Sequence, residues 1–229
     1  MYACAIVLAA GKGERFASKL SKPLVEINHI PAIIYCLKVL EKHPRIDEII
    51  VVVNLKNKAK IIQAIKNYRI KKIKCVVLGG EQRQDSVWQG LKAIDGHTEL
   101  ILIHDGVRPF VADGMVSEAI KKAQVYGGAV VGVPLKPTIK RAKSNFAIEE
   151  TLSRDSLWEV QTPQVFKKDL ILRAYKKYGH IPVTDDSALV EKLGVRPRMV
   201  MGSYLNIKIT TPEDLVVAEA IARKIYVKL

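Results

Sequence analysis

Ala3-Cys4-Ala5-Ile6-Val7-Leu8-Ala9-Ala10-Gly11-Lys12-Gly13-Glu14-Arg15-Phe16, continuing through Lys19 to Ser21-Lys22-Pro23, is the stretch around which the chain is built. The apolar run over 3–9 reads as a buried strand, and it feeds a glycine loop loaded with cations. Gly11 and Gly13 lack a Cβ, so the backbone is able to take positive φ and turn successive N–H groups toward a ligand, forming an anion-binding concavity. Lys12, Arg15, Lys19 and Lys22 place positive side chains around the same spot. A polyphosphate suits such a loop. The pattern is not the dinucleotide fingerprint, whose third glycine position is Phe16, nor a P-loop, which closes on Gly-Lys-Ser/Thr. Taken alone, Gly-x-Gly after a strand fits a plain tight turn equally well.

Working outward, helical spacing and β-branched runs alternate. Residues 31–41 are helical in period, 48–53 a strand, 58–68 a helix, 73–78 a strand, 87–94 a helix, 99–104 a strand, 115–125 a helix and 128–133 a strand. Near-continuous apolar strands are buried on both faces, and helical crossovers between them make the neighbours parallel. The expected fold class is α/β, a mostly parallel, Rossmann-like twisted sheet. In such sheets ligands sit beyond the carboxyl ends of the strands. Three strand ends carry glycine with charge: the opening loop, Gly79-Gly80-Glu81-Gln82-Arg83-Gln84-Asp85-Ser86, and Asp105-Gly106-Val107-Arg108-Pro109.

The rhythm breaks at about 135–160. Residues 138–141 and 148–152 read as a hairpin turning near Lys143-Ser144-Asn145, too polar to be a core layer. A lone two-stranded ribbon is marginal in water, so this arm is expected to lie on a second copy of the chain in a twofold dimer. Beyond it come a helix over 168–178, Thr184-Asp185-Asp186-Ser187 capping a helix over 188–193 that ends at Gly194, a strand over 198–201, and a strand-like 206–209. A last helix begins at Thr211-Pro212 and runs to about Ile225.

Composition bounds the function. The 229 residues are 48% hydrophobic, enough for a single large domain over 1–229 with one continuous core. No run approaches the ~20 apolar residues of a membrane span, and residues 3–9 lack the basic flank and cleavage site of a signal peptide, so the chain is expected to be cytoplasmic. Cys4, Cys36 and Cys75 lie far apart in apolar segments and read as reduced core residues. The formal charge of +14 asks for an anionic partner. Nucleic acid is disfavoured as that partner, since the basic residues are dispersed, aromatics are only 6% and no RNA- or DNA-binding motif occurs. Lys56, Lys58, Lys60, Lys66, Lys71, Lys72 and Lys74 read as solvated faces.

Single residues stay open at this level. Asp105, at a strand end, suits a metal or a hydroxyl as well as a capping role; His104 reads as a core histidine; Ser86 fits a helix cap. No nucleophile has a partnered base, which argues against a hydrolytic triad.

Together the motifs resemble the 2-C-methyl-D-erythritol 4-phosphate cytidylyltransferases. The resemblance rests on 9–15 with Lys22, 79–87, 104–109, Leu157-Trp158 with Gln161-Thr162-Pro163-Gln164, 184–186 and 206–208, in order over nearly the whole chain. It implies a nucleotidyltransferase-type fold with a protruding β-arm, a homodimer, Mg²⁺, and CTP and a polyol phosphate as substrates. Position by position it implies Arg15 and Lys22 as the catalytic cations. Ala9, Ala10, Gly11 and Gly13 would lie on the nucleotide, and Gly80, Glu81 and Ser86 on the cytosine. Asp105, Arg108, Thr184 and Lys208 would line the sugar-phosphate and metal region, with Asp105 as a possible ligand of a Mg²⁺ held mainly through the triphosphate. Thr138 and Arg154 on the arm would grip the acceptor of the other subunit. The chain departs from the family at Ser21-Lys22-Pro23, where Pro-Lys-Gln is common, and at Lys136-Pro137, where an acidic residue is common. A ribitol 5-phosphate acceptor, or a nucleotide- or RNA-binding module without turnover, are the alternatives.

Overall fold

The computed structural model describes residues 1–11 and 21–226. Its strands are β1 (Ala3–Ala9), β2 (Glu26–Ile27), β3 (Ile30–Pro31), β4 (Glu48–Val53), β5 (Ile73–Leu78), β6 (Leu100–Asp105), β7 (Gly128–Pro134), β8 (Ile139–Ala142), β9 (Ile148–Leu152), β10 (Trp158–Lys167) and β11 (Arg198–Met201). Its helices are α1 (Ala32–Lys42), α2 (Lys58–Asn67), α3 (Arg83–Lys92), α4 (Asp113–Tyr126), α5 (Lys168–Tyr178), α6 (Asp186–Glu191) and α7 (Pro212–Tyr226). None of the described helices is long and apolar enough to cross a membrane.

The layering follows from β1, every residue of which is buried. Successive side chains of a strand point to opposite faces. Ala3, Ala5, Val7 and Ala9 therefore join one core, with Leu37 of α1, Ile61 of α2 and Val116 of α4. Cys4, Ile6 and Leu8 join the other, with Leu91 of α3, Ile171 of α5 and Leu189 of α6. Strands so covered on both sides favour continuous apolar runs, as in the Ile-Ile-Val-Val-Val of β4. A third, smaller cluster seats α7 against α1 and the β2–β3 ribbon through Ile221, Tyr35 and Ile27.

The main sheet has seven strands in the order β11-β7-β10-β6-β1-β4-β5. The pairings along β5-β4-β1-β6 and between β11 and β7 are parallel. β10 alone runs the other way, antiparallel to both β6 and β7. The expected mostly parallel α/β fold is thus what the chain adopts, with one strand that patterning did not announce. β10 contains Pro163, which removes a ladder donor; it is accommodated where the register shifts between Val160 and Gln164. The arm is present as β8 paired with β9, a separate two-stranded sheet.

Other boundaries move for local reasons. α3 begins at Arg83 rather than 87, because Gln82 and Asp85 form a reciprocal capping box at its start. Ser86 is accordingly inside the helix and does not cap it. α6 begins at Asp186 rather than 188, capped by the Asp185 side chain on the Ala188 N–H at 3.2 Å. The strand-like 206–209 joins no sheet in the described structure; the Ile209 N–H donates to the Val107 carbonyl at 2.9 Å, and the Asn206 side chain donates to the Thr162 carbonyl at 2.9 Å. Gly194, at φ +81°, follows α6 as expected. Lys72 and Lys74 are not solvated as expected. Lys74 lies 2.5 Å from Asp95 and 3.5 Å from the buried Glu48, and Lys72 donates to the His43 carbonyl at 2.8 Å. The three cysteines are free, as expected, and burial pushes the Cys36 thiol up to about 12.

Candidate active site

Two clefts open at the carboxyl edge of the parallel strands, where such sheets hold ligands. The first is walled by Ala9, Ala10 and Gly11 after β1, Lys22 and Pro23, the segment 80–83 with Ser86, and Lys208–Thr210. The second lies beside it between β10 and α6, with Arg108, Gln161, Thr162, Gln164, Thr184, Asp185 and Ser187 in its wall. Arg83, Asp105 and Lys208 belong to both.

Each wall is fixed by bonds that reach across the chain. The end of β1 is held by Asn57, whose side-chain amide donates to the Ala9 carbonyl at 2.8 Å and to the Ser21 hydroxyl at 2.9 Å. Asn54 donates to the Ala10 carbonyl at 3.1 Å. Lys22 stands in a 3-10 turn over Lys22–Leu24, and its Nζ donates to the Thr210 carbonyl at 2.6 Å. In the loop after β5 the Ser86 hydroxyl accepts the Gly80 N–H at 3.2 Å and donates to the Gln82 carbonyl at 3.1 Å. A Cβ on Gly80 would sit 2.3 Å from Asp85 Cβ, and one on Gly79 2.6 Å from Ala10 Cβ, so side chains are excluded where the loop closes.

The shared floor is ionic. Asp105 Oδ2 is 2.7 Å from Lys208 Nζ, and Oδ1 is 3.3 Å from Arg83 Nε. Burial would raise the Asp105 pKa, but Arg83 and Lys208 outweigh it and hold the carboxyl well below the usual carboxylate range. Arg83 also reaches Asp186 Oδ2 at 2.8 Å, and the other Asp186 oxygen accepts from Tyr175 Oη at 2.6 Å. Arg108 donates from Nη1 to the Asn206 carbonyl at 2.7 Å, while its buried Nε has no hydrogen-bond partner among the described residues. Arg108 as a residue lines the second cleft, with Nε enclosed behind its surface.

His104 is a core histidine, as expected. Thr162 Oγ1 accepts the Asp105 N–H at 3.1 Å, which leaves its proton for His104 Nδ1 at 3.0 Å. The ring proton is therefore on Nε2, donated to the Arg108 carbonyl at 3.0 Å. Burial lowers the ring to about 4, so it is neutral and occupied on both nitrogens. It ties β6 to β10 and is no general base.

Of the residues singled out in the sequence, Ala9, Ala10, Gly11, Lys22, Gly80, Glu81, Ser86, Asp105 and Lys208 meet at the first cleft, and Arg108 and Thr184 join Asp105 and Lys208 at the second. Thr138 and Arg154 lie on the exposed arm and line neither; Arg154 donates to the Lys136 carbonyl instead. Gly13 and Arg15, with Lys12 and Lys19, lie outside the described residues. Asn57 emerges from the structure alone, whereas Arg83, Thr162, Gln164 and Asp185 stood in quoted motifs and gain their place at the site from the structure. Nothing local marks the distant carboxylates of Arg83.

Comparison with known proteins fits this geometry. The sequence pattern of the 2-C-methyl-D-erythritol 4-phosphate cytidylyltransferases matches residues 3–224. The protein of that name from Geobacillus kaustophilus is 44% identical over 220 residues, covering 95% of each chain. That from Caldanaerobacter subterraneus subsp. tengcongensis is 44% identical over 229 residues, covering 98% of this chain and all of its own. The crystal structure of 4-diphosphocytidyl-2C-methyl-D-erythritol synthase from Anaerococcus prevotii superposes with a TM-score of 0.86 at 33% identity, covering 100% of this chain and 96% of its own. With the family pattern spanning nearly its full length and relatives this similar end to end, the chain belongs to the 2-C-methyl-D-erythritol 4-phosphate cytidylyltransferase family.

Proposed function

We propose that this chain transfers the cytidylyl group of CTP to 2-C-methyl-D-erythritol 4-phosphate, releasing pyrophosphate and the CDP-alcohol of isoprenoid precursor synthesis. Beside family membership, the observation that carries the reading is the pair of clefts sharing one ionic floor, Arg83, Asp105 and Lys208. A group transfer needs two substrates whose reacting ends meet, and the shared floor is where they would meet.

The residues suit the chemistry. An oxygen of the acceptor phosphate attacks the α-phosphorus of CTP; the new P–O bond forms as the bond to the bridging oxygen breaks, and pyrophosphate departs with that electron pair. The attacking oxygen is ionised near neutral pH, so no base is required, in keeping with a His104 that is unable to act as one. The need is positive charge around the α-phosphorus and the leaving group. In this reading Lys22 and Arg15 supply it, backbone at Ala9, Ala10, Gly11 and Gly13 cradles the nucleotide, and Gly80, Glu81 and Ser86 read the base. Arg108, Lys208 and Thr184 receive the acceptor phosphate, a role supported by their common place in the wall of the second cleft.

Asp105, the carboxylate common to both clefts, is the residue that would help hold a Mg²⁺ bound mainly through the triphosphate, sharing its oxygens with Lys208 and Arg83. When bound, the ion supplies charge neutralisation on the triphosphate.

We read the whole chain as one nucleotidyltransferase unit that works as a homodimer through its arm. Phe146 and Ile148 on the ribbon are 89% and 64% exposed, apolar surface that a second copy would cover. Thr138 and Arg154 would then act in the partner's site. A cytoplasmic setting is supported by the free thiols.

Pyrophosphate release tests the function. With CTP and Mg²⁺, methylerythritol phosphate should give stoichiometric release and ribitol 5-phosphate little. No release with methylerythritol phosphate sinks the reading.

A further inference from the structure

We infer that Arg83 is a positioning residue for the acceptor half of the transfer: its guanidinium holds Asp105 and α6 together and so sets how Lys208 is presented to the acceptor phosphate. The inference rests on the transfer reaction proposed above.

Arg83 is the first residue of α3, directly after the Gly80–Gln82 turn, yet its side chain leaves that turn. Nε goes to Asp105 Oδ1 at 3.3 Å and Nη2 to Asp186 Oδ2 at 2.8 Å. Asp105 continues to Lys208 at 2.7 Å, and Asp186, 1% exposed, continues to Tyr175 at 2.6 Å. The result is one chain of alternating charge, Lys208-Asp105-Arg83-Asp186, ending on the Tyr175 hydroxyl. Bridging two carboxylates from separate elements needs the planar fork of a guanidinium; a lysine ammonium is a point charge and is unable to span both.

Removing Arg83 acts on the acceptor side twice. Asp105 keeps Lys208 as its one cation in hydrogen-bonding contact among the described residues, so the carboxylate competes harder with the acceptor phosphate for that ammonium. Asp186, buried, keeps the Tyr175 hydroxyl alone as a side-chain partner among the described residues, which loosens the start of α6, where Asp185 and Ser187 line the second cleft. The nucleotide turn is held independently, by the Ser86 hydroxyl on Gly80 and Gln82 and by the Gln82–Asp85 capping box. Arg83, Asp105 and Lys208 border the nucleotide cleft as well, so the consequence is a loss weighted toward the acceptor, a weighting that a general loss of structure would not produce.

The experiment compares wild-type protein with Arg83→Gln and Arg83→Lys by steady-state kinetics in each substrate, by calorimetric CTP binding without acceptor, and by thermal melting. Arg83→Gln should raise the acceptor KM and lower kcat, each about tenfold, while the Kd for CTP stays within about threefold. Arg83→Lys should restore part of the loss, and it decides the matter if the glutamine variant does not fold. An unchanged acceptor KM in Arg83→Lys, or a CTP Kd weakened as much as the acceptor KM, overturns the inference. A wild-type protein that releases no pyrophosphate overturns the function instead.

Discussion

The side-chain amide of Asn57 donates to the Ala9 carbonyl at 2.8 Å and, from the same nitrogen, to the Ser21 hydroxyl at 2.9 Å, closing the two ends of the cationic glycine loop onto one buried group. Asn57 is 1% exposed, and its Oδ1 also accepts the Asn54 N–H at 3.0 Å. Asn57→Ala should therefore leave a strand-end carbonyl and an amide without partners, at a cost of about 1–3 kcal/mol seen as a lower urea midpoint. It should also weaken CTP binding, because the loop ends are no longer held at a fixed separation. Normal CTP affinity in a destabilised variant would show that the staple serves the fold alone.

Lys22 lines the first cleft, its Nζ donating to the Thr210 carbonyl at 2.6 Å. In the proposed transfer a cation so placed would be preorganised for charge that develops at phosphorus. Lys22→Ala should lower kcat by about 10²–10³-fold with the melting temperature nearly unchanged. Activity like that of the wild type would refute the role.

What the sequence made legible, and what it hid, divides along a physical line. β1, β4 and β6 were readable because burial on both faces demands continuous apolar runs. β10 was hidden because Gln161, Thr162 and Gln164 are buried by pairing with distant residues: Gln161 with Ser203, Thr162 with His104, Gln164 with Asp185. Polar residues satisfied in that way look like a loop in any local window. Asn57, between Lys56 and Lys58, had the surroundings of a surface turn, and its partners lie 48 and 36 positions away. Arg83 and Asp186 are 103 positions apart. The glycine loop and the other strand-end motifs announced where a ligand would sit; the ionic floor beneath it has no sequence-local signature.

Gly90 illustrates a residue whose reason is packing. α3 lies so close to β1 that a Cβ there would fall 2.6 Å from Ile6 Cγ2 and 3.2 Å from Val52 Cγ2. Alanine is favoured over glycine by about 1 kcal/mol inside an isolated helix. Here Gly90→Ala should nevertheless destabilise the protein, by about 1–3 kcal/mol, because both neighbours are buried and β-branched. A higher melting temperature in the variant would contradict the close approach.

The buried histidines set the acid side of the stability profile. Burial lowers His104 to about 4 and lowers His43 as well. Both are neutral in either state above about pH 7.5, well clear of the ordinary histidine pKa. As pH falls below that, the unfolded chain takes up protons first, so stability drops, and the His104 part levels only near its folded value of about 4. That part is of the order of 3 kcal/mol. Asp105, held low, contributes loss only below the ordinary carboxylate range. Urea midpoints should thus fall between pH 7 and about pH 4.5, and His104→Gln should flatten the slope. An identical slope in the variant would remove His104 as its source.

The arm gives the sharpest test of assembly. Thr138 and Arg154 are exposed and line neither cleft of their own chain. If each arm completes the neighbouring site, an Arg154→Ala subunit still offers an intact Lys22, and a Lys22→Ala subunit an intact arm. Co-expressed in equal amounts, half the dimers are mixed, and each mixed dimer holds one complete site of two, so about a quarter of wild-type turnover should return from two nearly inactive parents. No recovery, in a mixture shown by tagged purification to contain mixed dimers, would mean that arm and core act within one chain.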